Sequence, residues 1–205
     1  MLGNTLALGA YLDRLQHELA RIDRQAVEQL AELLYEAWRQ QRFVFLLGNG
    51  GSATTASHLA EDLGKTCMAE AAVDSESPQQ HRRLKVLSLT DNVGWITALA
   101  NDYSYEEVFV QQLMHYGGPG DLVVAISGSG NSPNVLAAVD WANRHGLRTY
   151  GMTGYDGGKL KQMQQAGLHV ELDDMAMVET VHLAVGHWIV GHLWGRVVES
   201  EATTV

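Results

Sequence analysis

The sequence predicts an α/β fold in which a doubly wound, five-stranded parallel sheet is flanked by helices. Two observations support this fold class: five short apolar runs typical of buried parallel strands, and helical stretches that separate these runs. The predicted strands are residues 42–47, 85–89, 122–126, 148–152 and 168–172. The predicted helices are residues 53–65, 93–113, 133–145, 159–165 and 175–199. Strands that alternate with helices form a parallel sheet with right-handed connections and helices on both faces.

An N-terminal helical hairpin is predicted to precede the first strand. Residues 5–41 carry leucines and aromatic residues at helical spacing in two successive stretches, as expected for helices that cover a core or a subunit interface. No linker follows them. We therefore predict one domain, residues 1–205, made of the hairpin (1–41) and an α/β core (42–200). The polar segment 69–83 is predicted to be an exposed loop.

Charge and composition exclude several classes of function. The chain has 205 residues and a formal net charge of -10, which disfavours broad contact with the backbone of nucleic acids. It has no apolar run of the roughly 18 residues that a membrane span needs. Residues 1–8 lack the basic start of a signal peptide, and the single cysteine, Cys67, cannot form an intrachain disulfide. We expect a soluble, cytoplasmic protein that binds neither nucleic acid nor membrane.

Two glycine-rich loops, each between a predicted strand and a predicted helix, are candidate phosphate sites. The first is residues 48–52 (GNGGS) and the second is residues 127–133 (SGSGNSP). Glycines allow the backbone to approach a ligand, and N–H groups and serine hydroxyls at a helix N-terminus suit a phosphate. Ser132 is expected to cap the helix that Pro133 begins. Because neither loop has dinucleotide or P-loop spacing, a monophosphate fits best. The predicted substrate-binding residues in these loops are Asn49, Gly50, Ser52, Ser127, Gly128, Ser129 and Ser132.

Two helices carry residue pairs with the spacing of metal ligands. His58 and Asp62 are four residues apart, and Glu179 and His187 are eight apart, so each pair shares one helix face. Two histidines and two carboxylates could ligate zinc or another divalent ion. The spacing alone is a weak indication of a metal, because such histidine–carboxylate pairs on helices are often structural hydrogen bonds. Two further histidines, His182 and His192, are rotated away from His187 and are expected to be packing or surface residues.

These motifs resemble the SIS-domain (sugar isomerase) family, whose fold is flavodoxin-like, and within it the sedoheptulose 7-phosphate isomerases. The resemblance covers residues 42–190. The matching stretches are residues 47–53 (LGNGGSA), His58 with 60–63 (AEDL), 88–91 (SLTD), 100–102 (AND), 125–135 (AISGSGNSPNV), 152–159 (MTGYDGGK) and 178–182 (VETVH) leading to His187. The resemblance implies that the three serines of the second loop hold a substrate phosphate and that Asn49 and Ser52 lie near the sugar. It also implies that Asp91 and Asn92 line the pocket, with Glu179 contacting substrate as well.

The resemblance further implies catalytic roles and a metal. Asp62 aligns with the family's acidic base and His187 with its catalytic histidine, and which of the two is the base stays open. A divalent ion, with zinc favoured, would be held by His58, Asp62, Glu179 and His187. The chain departs from the family in four places: Asp62 replaces glutamate, Glu179 replaces glutamine, Ala176 replaces an aspartate, and an arginine near residue 66 is missing, for which Lys65 could substitute.

The predicted activity is an aldose–ketose isomerisation of a sugar phosphate through a cis-enediol. The favoured reaction is sedoheptulose 7-phosphate to D-glycero-D-manno-heptose 7-phosphate, which in this family feeds the synthesis of lipopolysaccharide and other surface glycans, although the sequence does not fix the sugar's chain length. Two alternatives stay open: a non-catalytic adaptor that associates with a replication initiator, and a sugar-phosphate-sensing regulator. A homo-oligomer is expected from the apolar surfaces of the first and last helices, and a tetramer from the resemblance.

Overall fold

The structure, a computed structural model, describes residues 5–67 and 82–202. Its sheet has five parallel strands in the order β2-β1-β3-β4-β5, as predicted. The strands are β1 (Phe43–Gly48), β2 (Lys85–Ser88), β3 (Leu122–Ser127), β4 (Arg148–Thr153) and β5 (Ala166–His169). The strand order reverses between β1 and β3, and ligands of open α/β sheets bind at the carboxyl edge of such a reversal. Both glycine-rich loops leave the sheet there.

The helices cover both faces of the sheet. They are α1 (Leu8–Arg21), α2 (Arg24–Gln40), α3 (Gly51–Thr66), α4 (Val93–Asp102), α5 (Val110–Tyr116), α6 (Pro133–Arg144), α7 (Leu160–Met163) and α8 (Met175–Ala202), with a 3₁₀ helix at Tyr105–Glu107. The predicted N-terminal hairpin is present as α1 and α2. Asp23 begins α2, because its carboxylate accepts hydrogen bonds from the backbone N–H groups of Gln25 (2.9 Å) and Ala26 (3.2 Å).

The core consists of two apolar layers, one on each face of the sheet. Val44 and Leu46 of β1 point into the layer shared with α2, α3 and α8, whereas Phe45 and Leu47 point into the layer shared with α5 and α6. This alternation explains why the central strands are continuous apolar runs: both of their faces are buried. Among the described residues, no helix has the length and apolarity that crossing a bilayer requires.

The predicted helix at residues 93–113 is wrong as a single element. The chain leaves the α conformation at Tyr103 and is extended at Ser104 before the 3₁₀ helix and α5 follow. Asp and Ser side chains compete with helical backbone hydrogen bonds and favour such ends. The turn also lets the chain bury Val108 and Phe109 in the core. Helical periodicity on both sides of the turn hid this break.

Two smaller boundaries also differ from the prediction. The helix predicted at residues 159–165 is the single turn α7, because the backbone becomes extended at Gln164. The strand predicted at 168–172 is β5, which begins two residues earlier, where Ala166 pairs with Tyr150 of β4, and ends three residues earlier, at His169. The predicted loop 69–83 lies outside the described residues except at its last two positions.

Candidate active site

The first glycine-rich loop makes a tight turn from β1 into α3. Gly50 has a φ of +56°, which disfavours residues with a side chain. A Cβ on Gly48 would lie 2.8 Å from the carbonyl oxygen of Ile126 in β3, so this position accepts only glycine. The turn places Ser52 in the first turn of α3, where its side chain is buried at the carboxyl edge of the sheet.

Asn49, which the resemblance places near the sugar, joins the two loops. Its side-chain N–H donates to the amide oxygen of Asn134 at 2.9 Å, and the Asn134 N–H donates back to the Asn49 amide oxygen at 2.9 Å. Asn134 is almost fully buried in the first turn of α6. The reciprocal pair therefore fixes the β1 loop against the helix that follows the β3 loop.

The serine-rich loop brings two of its three hydroxyls together at the end of β3. The hydroxyl oxygens of Ser127 and Ser132 are 3.5 Å apart. Ser127 also accepts from the N–H of Gly130 (3.2 Å), and Ser129 accepts from the N–H of Asn131 (3.3 Å). Ser132 occupies the N-cap position of α6, but the predicted side-chain cap is wrong: its hydroxyl makes no capping bond and faces Ser127 instead.

The glycine-rich segment after β4 supports the serine loop from outside. The N–H of Gly154 donates to the carbonyl of Gly128 (2.8 Å), and the N–H of Leu160 donates to the carbonyl of Gly130 (2.9 Å). Gly130 has a φ of +63°, and a Cβ there would overlap the carbonyl group of Gly157. Residues 154–160 thus fix the shape of the loop, a role that the sequence did not reveal.

The first turn of α8 lies over the carboxyl edge of the sheet and packs on three glycines. The pairs are Met175 on Gly128, Val178 on Gly154 and Glu179 on Gly51. Each glycine lacks the Cβ that would collide with its partner, so α8 can approach the loops after β1, β3 and β4 at once. This contact brings the last helix, remote in sequence, into the site.

Asp91 and Asn92 follow β2 at the same edge. One oxygen of the Asp91 carboxylate accepts hydrogen bonds from the hydroxyls of Ser57 and of Thr90, the latter at 3.2 Å. The Asn92 side-chain oxygen caps α4 by accepting from the N–H of Trp95 at 3.1 Å. The second Asp91 oxygen accepts no hydrogen bond from the described residues, whereas the Asn92 oxygen caps α4. Ser57 and Thr90 are site residues that the sequence reasoning missed.

Three of the four predicted metal ligands form a cluster. The ligand atoms of His58, Asp62 and His187 all lie within 4.8 Å of one another. His58 Nε2 is 3.3 Å from Asp62 Oδ2 and 3.3 Å from His187 Nε2. His58 and Asp62 share a face of α3, and α8 supplies His187 because its Gly186 packs directly on Leu59 of α3.

The fourth predicted ligand, Glu179, is not part of this cluster. Its carboxylate packs on Gly51 at the N-terminus of α3, and burial raises its pKa. Eight residues separate Glu179 from His187, which at about 1.5 Å per residue is roughly 12 Å along α8. The structure thus places Glu179 beside the first loop, where the partial positive charge of a helix N-terminus favours a carboxylate.

Lys65 forms an ion pair with Asp62 and lowers the pKa of its carboxyl group. The ammonium nitrogen is 3.0 Å from Asp62 Oδ1 and 2.6 Å from Glu61 Oε1. The hydrogen bond and the charge of Lys65, with smaller contributions from His58 and His187, outweigh burial and lower the pKa of Asp62. The carboxylate is therefore available near neutral pH as a proton acceptor or a ligand.

The other two histidines of α8 have the expected packing and surface roles. His182 is fully buried, its Nε2 lies 3.3 Å from the carbonyl oxygen of Thr153, and burial lowers its pKa to about 4. His192 is exposed and stacks on Trp188 one turn earlier in α8. Neither belongs to the cluster.

The residues of the cluster fit a divalent ion. A tetrahedral zinc ion with metal–ligand bonds of about 2.0–2.2 Å keeps its ligand atoms roughly 3.4 Å apart. The two 3.3 Å separations around His58 Nε2 match this spacing. Two imidazoles and one carboxylate are also the ligand types of catalytic zinc sites, in which three protein ligands leave a position open. The spacing and the chemistry of these three side chains therefore fit a divalent metal ion.

With this geometry in place, comparison with known proteins defines the family. The SIS-domain family model matches residues 9–154. The chain belongs to the SIS-domain family. The phosphoheptose isomerase of Chlorobaculum tepidum is 36% identical over 181 residues, which cover 88% of this chain and 83% of that protein.

Solved structures agree with the sequence relatives. The phosphoheptose isomerase of Neisseria gonorrhoeae aligns with a TM-score of 0.79 and 29% identity, over 90% of this chain and 93% of that one. The enzyme of Francisella tularensis aligns with a TM-score of 0.79 and 25% identity, over 91% and 95%. This SIS-domain protein is an isomerase of the phosphoheptose isomerase type. The adaptor and regulator alternatives are not favoured.

Proposed function

We propose that the protein converts sedoheptulose 7-phosphate to D-glycero-D-manno-heptose 7-phosphate through a cis-enediol. The main observation behind the proposal is the position of α3. This helix begins in the first loop, at the carboxyl edge of the sheet, and it places His58 and Asp62 next to His187 of α8. A phosphate-binding loop and an acid–base cluster thus flank one edge of the sheet. The relatives that carry this name support the choice of substrate.

The serine loop is proposed to hold the substrate's phosphate. The hydroxyls of Ser127 and Ser132 converge at the N-terminus of α6, where the helix dipole favours an anion. Ser129 lies between them on the loop that the glycine segment supports. Holding the phosphate fixes the open-chain sugar for proton transfer, which is a positioning effect on the rate.

Asp62 and His187 are proposed to move the protons. Isomerisation needs a base that removes a proton from carbon and a group that returns protons to oxygen. Lys65 lowers the pKa of Asp62, and Asp62 is linked to His187 through His58. The two side chains can therefore divide the roles of base and acid. Asp91 has one carboxylate oxygen that accepts no hydrogen bond from the described part of the chain, and it is proposed to accept one from a sugar hydroxyl.

A divalent ion, with zinc as the ion we propose, would be held by His58, Asp62 and His187. When bound, such an ion would polarise the substrate's carbonyl and the neighbouring hydroxyl. The contact between Gly186 of α8 and Leu59 of α3 keeps the three ligand atoms at the observed spacing. Glu179 beside Gly51 is proposed to contact the substrate from the first loop.

The proposal includes a homotetramer in the cytoplasm whose product serves the synthesis of surface glycans. Supporting the oligomer, a groove of about 400 Å³ between the hairpin and α8 is lined by apolar side chains that include Val27 and Trp188. The side chains of Leu8, Leu12 and Trp194 are also exposed. A single free cysteine suits a reducing compartment.

A turnover assay with sedoheptulose 7-phosphate tests the proposal. We expect conversion by the purified protein, loss of activity on chelation and recovery on adding zinc. The double variant Ser127→Ala/Ser129→Ala should bind the substrate far more weakly while it keeps its fold, and His192→Ala, away from the cluster, should behave as wild type. Absence of turnover in a folded, zinc-supplied protein would contradict the proposal, and full activity in metal-free protein would contradict its metal.

A further inference from the structure

Tyr105 is an exposed tyrosine whose hydroxyl reaches into the site. It begins the 3₁₀ helix between α4 and α5, at the break that divides the predicted helix. Its side chain is 58% exposed, yet its hydroxyl donates to the side-chain oxygen of Asn49 at 2.9 Å. Tyr103, two residues earlier, is 70% exposed, and its hydroxyl makes no hydrogen bond to the part of the chain that the structure describes. The contact of Tyr105 is therefore specific.

The hydrogen bonds around Asn49 leave it one free donor. Its amide oxygen accepts from both Tyr105 and Asn134, which uses the two lone pairs of that oxygen. One of its two N–H groups donates to Asn134. The second N–H donates to no acceptor among the residues that the structure describes, so it remains for a ligand. With its oxygen held by two donors, the amide cannot rotate by 180° and present an acceptor to the pocket.

We infer that Tyr105 is a positioning residue of the isomerase, and the inference depends on the proposed function. By holding the Asn49 oxygen, Tyr105 directs the free N–H of Asn49 to a hydroxyl oxygen of the sugar chain. The phosphate end of the substrate lies on the serine loop and does not involve this contact. Tyr105 therefore acts on the sugar end and leaves phosphate binding unchanged.

The variant Tyr105→Phe tests the inference, with Tyr103→Phe as the matched control. Each substitution removes one hydroxyl from an exposed ring, so both variants should fold and melt as wild type does. We expect Tyr105→Phe to raise KM for sedoheptulose 7-phosphate about three- to tenfold with kcat within about twofold, since it weakens a contact made equally in the ground and transition states. Tyr103→Phe should leave both constants unchanged.

Inorganic phosphate, used as a competitive inhibitor, separates positioning from a general disturbance of the loops. We expect its inhibition constant to be the same in wild type and Tyr105→Phe. A parallel loss of affinity for phosphate would overturn the inference, as would a fall in kcat alone or a Tyr105→Phe variant identical to Tyr103→Phe. If wild type itself does not turn over the sugar phosphate, the proposed function fails and the inference with it; normal wild-type turnover confines the failure to Tyr105.

Discussion

The close packing of Gly130 on Gly157 predicts that the variant Gly130→Ala loses substrate binding. Gly130 has a φ of +63°, and an added Cβ would lie 2.6 Å from the carbonyl carbon of Gly157, whereas ordinary contacts begin at 3.4 Å. Because the carbonyl oxygen of Gly157 would lie closer still, the serine loop would have to move by more than about 1 Å from the segment that supports it. The hydrogen bond from the Leu160 N–H to the Gly130 carbonyl would weaken as well.

A matched glycine separates the steric effect from the backbone effect. Gly146 also has a positive φ, +75°, but a Cβ added there would lie at an ordinary contact distance of 3.5 Å from its nearest neighbour, the Cβ of Pro119. Gly146→Ala should therefore show only the cost of a left-handed alanine, about 1–2 kcal/mol. Gly130→Ala adds overpacking of about 1–3 kcal/mol, for a total loss of roughly 2–5 kcal/mol in the free energy of unfolding.

Urea unfolding and substrate kinetics measure the two consequences. We expect Gly130→Ala to be less stable than Gly146→Ala. It should also have a raised KM for the sugar phosphate, because the serine loop, which is proposed to hold the phosphate, has moved. Gly146→Ala, remote from the site, should keep the wild-type KM. Equal stabilities of the two variants, together with a wild-type KM for Gly130→Ala, would refute the view that residues 154–160 shape the loop.

Three further predictions concern the cluster on α3 and α8. His58→Ala should lower the affinity for zinc, measured by equilibrium dialysis, at least about tenfold relative to wild type. His192→Ala should bind zinc as wild type does. Lys65→Met should raise the pKa of Asp62, so the acidic limb of the pH profile of kcat/KM should move to higher pH; Lys65→Arg should keep it in place. Gly186→Ala should move α8 away from α3 and reduce activity. Its free energy of unfolding should change little, because the higher helix propensity of alanine offsets about 1 kcal/mol of the overpacking against Leu59. Unchanged activity would contradict the close helix contact.

The sheet and both loops were predictable because their signals are local. Buried parallel strands are continuous apolar runs, and the glycines and serines of residues 48–52 and 127–132 directly follow two such runs. The i,i+4 pair of His58 and Asp62 was equally local. Each of these features depends only on residues that are close together in the sequence.

The features that the sequence did not reveal depend on contacts between distant segments. The break at Tyr103 has no periodicity signal, and it decides where Tyr105 lies. Gly186 looks like an unfavourable helix residue until Leu59 is seen against it. Glu179 shares a helix face with His187, but sharing a face does not fix the distance along the helix. The spacing therefore could not show that Glu179 lies beside Gly51.

The last helix explains why the site needs residues from both ends of the chain. Its N-terminal end packs on glycines of three loops, and its fourth turn brings His187 to His58. The N-cap Asp174 accepts from the N–H of Met177 (3.3 Å) and also from Arg14 of α1 at 3.0 Å, so the hairpin fixes where α8 begins. A shift of α8 along its axis would therefore change the shape of the serine loop and the spacing of the His58–Asp62–His187 cluster together. The position of α8 therefore sets the distance between the two loops proposed to bind the substrate and the cluster proposed to react with it.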